Sequence, residues 1–102
     1  MDIESAAENL QRSLKAHRAF GHLRVKKRGQ SLTIFSGKPD DPWLHARLSR
    51  KTKSSNLWAL SFPNYRGRWE RTPYVGNIQE LAHMCARDFP FLFQDFLSKS
   101  IE

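Results

Sequence analysis

Between Ile3 and His17 the apolar positions recur at three and four. Ile3, Ala7, Leu10, Leu14 and His17 make one stripe, while Glu4, Glu8, Gln11, Lys15 and Arg18 face away. The spacing predicts an N-terminal helix with acidic residues early and basic ones late, as the helix dipole favours. Gly21 is its expected stop.

From Leu23 the period drops to two. Leu23 and Val25 alternate with Arg24, Lys26 and Arg28, Gly29-Gln30 turns the chain, and residues 32–36 return as a second strand. Residues 37–42 read as a loop on turn chemistry. Leu44, Ala46 and Leu48 then alternate with His45, Arg47 and Ser49, which predicts a third strand with His45 and Arg47 on one face. Residues 53–56 turn before the apolar run 57–62, a central strand. After a turn over 63–67, residues 68–72 form a shorter fifth strand that stops at Pro73, with Trp69 expected in the core.

The last province returns to helical spacing. Asn77, with Glu80 three residues on, is a capping box before a stripe of Ile78, Leu81, Ala82, Cys85 and Phe89. Pro90 ends or kinks that helix, and residues 91–97 begin another, with Asp88 as cap. Short strands joined by short turns favour antiparallel pairing. The expected architecture over residues 1–102 is a single α+β domain. It is an antiparallel β-meander of four to five strands, with an N-terminal helix and one or two C-terminal helices packed on one face; strand order stays open.

Size adds a bound. A folded chain of 11.9 kDa exposes about 6,000 Å² of the roughly 17,000 Å² of its extended form. That supports one modest core and excludes a TIM barrel or a doubly wound nucleotide fold. The start of the chain shows no basic-then-apolar leader and no run approaches a membrane span, so a cytoplasmic, non-membrane protein is expected. Cys85 is alone and the histidines at 17, 22, 45 and 83 lack paired-ligand spacing; neither a metal nor another cofactor is expected.

Charge changes the picture most. The formal net charge is +7, and it is unevenly spread. Residues 1–20 hold three basic and three acidic side chains, residues 21–75 twelve and three, and residues 76–102 two and four, giving 0, +9 and −2. If the helices cover one face of the sheet, cations gather on the other. Arg24, Lys26, Arg28, Arg47, Arg50, Lys51, Lys53, Arg66 and Arg68 are expected to supply charge for a nucleic acid, with Trp43 and Tyr65 stacking on bases.

Two other classes fit the same composition. A small accessory protein would dock the basic face on an acidic protein and use Phe91, Phe93, Phe96 and Leu97 as an interaction surface. A metal-independent ribonuclease would use His45, Arg47, Tyr65 and Arg68 on a phosphodiester. An unpaired strand edge also offers a second copy a place to form a homodimer.

Overall fold

The computed structural model describes residues 2–38, 40–53 and 55–93. Helix α1 (Ile3–Lys15) precedes strands β1 (Arg24–Arg28), β2 (Ser31–Lys38), β3 (Asp41–Ser49), β4 (Trp58–Pro63) and β5 (Trp69–Gly76), and helix α2 (Ile78–Asp88) follows them. The five strands form one antiparallel sheet in chain order, β1-β2-β3-β4-β5. This is the α+β meander that the period changes predict. Leu32, Ile34, Leu48, Trp58 and Leu60 share one sheet face and form the core with Leu10 and Leu14 of α1 and Ile78, Leu81 and Cys85 of α2. None of the described helices is long and apolar enough to cross a membrane.

Helix ends follow local chemistry. The Asp2 carboxylate accepts from Ser5 N at 2.7 Å and caps α1, and that hydrogen bond holds its carboxyl below the usual carboxylate range. α1 stops six residues before Gly21. At about 100° per residue, a continuing helix would place Phe20 roughly 120° around the helix from Leu14, off its buried stripe. The chain instead breaks at His17, and a 3-10 turn over Arg18–Phe20 brings the Phe20 ring into the core. α2 opens with both halves of the Asn77–Glu80 capping box in place. Pro90 ends it as expected, and Pro90–Phe93 forms a 3-10 turn. Asp88 is not a cap; it belongs to α2, and its carboxylate takes two bonds of 3.0 Å from the Arg87 guanidinium. Residues 94–97 of the expected second helix lie outside the described residues.

Two strand boundaries and one register also differ from expectation. The loop expected over 37–42 is shorter, because β2 and β3 run on until Gly37 pairs with Pro42 and Lys38 with Asp41. Pro73 does not end β5. That strand is an edge, where a proline is tolerated, and the Thr72 hydroxyl donates to the Leu60 carbonyl at 2.8 Å beside a shift in register. The third difference is a bulge in β3, where Ile34 pairs with Ala46 but Phe35 pairs with Leu44. His45 is the extra residue, and both it and Ala46 turn inward.

Burial pushes the Cys85 thiol from its ordinary 9.0 up to about 12. A thiol-specific disulfide reagent at pH 8 is therefore expected to leave the native chain unmodified and to label one thiol after unfolding. Because the folded pKa is raised, this group's contribution to stability is intact below pH 9 and declines as pH rises toward 12.

Candidate functional site

Strand alternation sends every second side chain to the face that the helices leave uncovered. The registers there define cross-strand rows. Lys26 pairs with Thr33, Thr33 with Arg47, Arg47 with Ser61 and Ser61 with Arg71, so one row crosses all five strands with cations and hydroxyls alternating. The flanking row on one side holds Arg28, Ser31, Ser49, Ala59 and Val75. On the other side Arg24 pairs with Phe35 and Phe35 with Leu44, while Pro63 pairs with Trp69. That flank is apolar apart from Arg24.

The rows enclose a hollow of about 550 Å³, lined chiefly by Lys26, Arg28, Phe35, Leu44, Arg47 and Trp69. The Arg47 guanidinium lies 4.9 Å from the centre of the Trp69 ring. Its Nε is buried and has no hydrogen-bond partner among the described residues. Carboxylates are placed elsewhere. Asp2 caps α1, Glu4 and Glu8 lie on α1, and Glu80 and Asp88 lie on α2. Asp40 and Asp41 sit at the β2–β3 connection, and Glu70 is opposite Phe62 on the helix-covered side, accepting from Asn64 Nδ2. Among the described residues the open face thus carries Arg24, Lys26, Arg28, Arg47 and Arg71 with no acidic side chain between them. Lys27, which points the other way, is paired with Glu4 at 2.8 Å.

The structure separates the sequence-predicted residues into groups. Arg24, Lys26, Arg28 and Arg47 come together on the open face. Lys51 and Lys53 are exposed in the β3–β4 connection, and Tyr65, Arg66 and Arg68 occupy the turn between β4 and β5. That turn is organised by Asn64, whose Oδ1 accepts from Arg66 N and Arg68 N, with Gly67 at φ 78. Tyr65 is 90% exposed and its hydroxyl accepts from Arg66 Nε.

Two expected contacts are corrected. Arg50 is 6% exposed, donating to Gln30 Oε1 and the Ser55 carbonyl while lying over the Trp58 ring; it ties two turns to the core. Trp43 pairs with Ser36 and so belongs to the helix-side face, away from the hollow. Trp69, expected inside, is on the open face. Arg71 was not among the expected binding residues; it lies two positions from Trp69 in the expected fifth strand, so placing Trp69 in the core sent Arg71 to that side as well.

His45 is not beside Arg47. It is 2% exposed on the opposite side of the sheet. Its Nδ1–H donates to the Leu92 carbonyl at 2.9 Å, and in the neutral ring Nε2 accepts from the Ser36 hydroxyl at 2.7 Å. His22 Nε2–H donates to the Phe93 carbonyl at 2.7 Å. The two histidines thereby hold the 3-10 turn that follows α2. Phe93 is fully buried beneath them, so it serves the core and not an interaction surface; Phe91 is 57% exposed. Phe96 and Leu97 lie outside the described residues. Residues 45, 47, 65 and 68, grouped for phosphodiester cleavage, are therefore divided among the interior, the open face and a hairpin tip.

Among the described residues no group of three His, Cys, Asp or Glu side chains is placed to hold a metal ion. No protein-family model, curated protein or solved structure matches the chain.

Proposed function

We propose that the chain binds nucleic acid through the open face of its sheet, chiefly by phosphate contacts. The observation that carries this reading is the row Lys26–Thr33–Arg47–Ser61–Arg71, in which cations alternate with hydroxyl donors on a face free of described carboxylates. Each cation attracts a phosphate, and the partly exposed Thr33 hydroxyl offers a neutral hydrogen bond beside them, while Ser61 is buried beneath the row. Arg24 and Arg28 extend the positive field to either flank of the row. Free carboxylates placed among these cations would neutralise that field, and the described acidic residues lie on or at the start of α1, on α2, at the β2–β3 connection and on the far side of β5. Lys51, Lys53, Arg66 and Arg68, at two exposed turns, add long-range attraction.

Titrating oligonucleotides across salt concentration tests the reading. Affinity is expected to fall linearly on a log–log plot, with a slope of about 0.7 to 0.9 per phosphate neutralised. Absence of binding at low salt overturns it. Tight binding to an acidic polypeptide, with no oligonucleotide binding, assigns the face to a protein partner instead.

A further inference from the structure

We infer that the open face takes a single strand running across the β-strands, its phosphates along one row and its bases over the next. This rests on the nucleic-acid reading above and adds the form and direction of the ligand.

The charged row and the apolar row lie side by side. Along a strand, positions two apart are separated by about 6.7 Å, the scale of the step from a backbone phosphate to its base. Across the sheet, Lys26, Arg47 and Arg71 occupy alternate strands, so their backbones are about 10 Å apart. Extended side chains on that spacing can track a flexible backbone. The neighbouring row offers Phe35, Leu44 and Trp69 around the hollow, with Leu44 40% exposed and Trp69 half-buried.

A solvent-facing apolar row needs an apolar partner, and inorganic phosphate supplies none. A nucleobase supplies a flat apolar face together with polar edges. Arg47 stands where the rows meet. Its guanidinium is already stacked on Trp69. In a duplex the bases are stacked on one another and their faces cannot reach Trp69 or Leu44. The apolar row therefore selects unpaired nucleotides.

The experiment compares a short mixed-sequence single strand, the same sequence as a duplex, and inorganic polyphosphate. Each is titrated into the native chain and into Leu44→Gln, Trp69→Ala and Trp69→Phe. The native chain is expected to prefer the single strand. Trp69→Ala and Leu44→Gln should each weaken single-strand binding roughly tenfold while leaving polyphosphate binding and the salt slope unchanged; Trp69→Phe should retain most of the affinity. Leu44 is exposed, so its variant keeps the test valid if Trp69→Ala unfolds. Salt-sensitive single-strand binding that neither apolar variant weakens overturns the base row alone. Failure of both the single strand and polyphosphate to bind overturns the nucleic-acid reading with it.

Discussion

Phe93→Ala is expected to destabilise the fold by about 3–5 kcal/mol, the range for removing a fully buried phenyl ring. Phe93 is 0% exposed, and its ring lies 5.2 Å from the Phe20 ring and 5.7 Å from the His45 ring, stacked on the latter. Its loss would leave a cavity where the turn after α2 meets both the 3-10 segment after α1 and the bulge of β3. The backbone beside the ring carries a second load. The carbonyls of Leu92 and Phe93 accept from His45 and His22, so loosening the turn strands two ring donors, one of them buried. Domains of this size are stable by only about 5–15 kcal/mol. Denaturant unfolding followed by intrinsic fluorescence should therefore show a large fall in midpoint. Phe91→Ala, at 57% exposure, should shift stability by about 0.5 kcal/mol or less. Equal losses for the two variants would mean that Phe93 is not the ring that closes the core.

Much of this fold was visible in the order of apolar and polar residues. The stripes of α1 and α2, the Asn77–Glu80 cap and the alternation of β1 and β2 depend on local spacing, which the chain displays directly. The departures occur where a tertiary demand outweighs a local one. Phe20 is buried only because the helix stops before reaching it. β5 passes through Pro73 because it is an edge strand and because Thr72 supplies a hydroxyl donor to Leu60.

The bulge matters most for the candidate site. Strict alternation puts His45 with Arg47 and sends Leu44 to the core. One extra residue reverses both positions, yet Leu44-His45-Ala46 has no sequence mark that distinguishes a bulge from a regular strand. The bulged histidine has its own use, since Ser36 and the Leu92 carbonyl together satisfy both ring nitrogens in the interior. Arg50 misled for a related reason: a cation next to Lys51 and Lys53 reads as part of a solvated run. Only the fold reveals that its backbone and side chain both bond to Gln30.

Replacing Lys26, Arg28 and Arg71 together with glutamine should lower affinity for single-stranded nucleic acid about a hundredfold at 0.1 M salt. The magnitude follows from counterion release. Three lost phosphate contacts, each worth about 0.7 in log–log slope, reduce the slope by about two, and the loss shrinks as salt approaches 1 M. All three side chains are exposed, so the fold should tolerate the change. Arg47 is left in place because it stacks on Trp69, and its removal would mix lost charge with lost packing. The matched control is Lys51→Gln with Lys53→Gln and Arg66→Gln, which removes the same charge from exposed turns. A ligand held by the face loses direct contacts in the first variant and only long-range attraction in the second. The slope should therefore fall by about two in one and by well under one in the other. Equal reductions would show that net charge alone attracts the nucleic acid, leaving the ordered row across the sheet without a role.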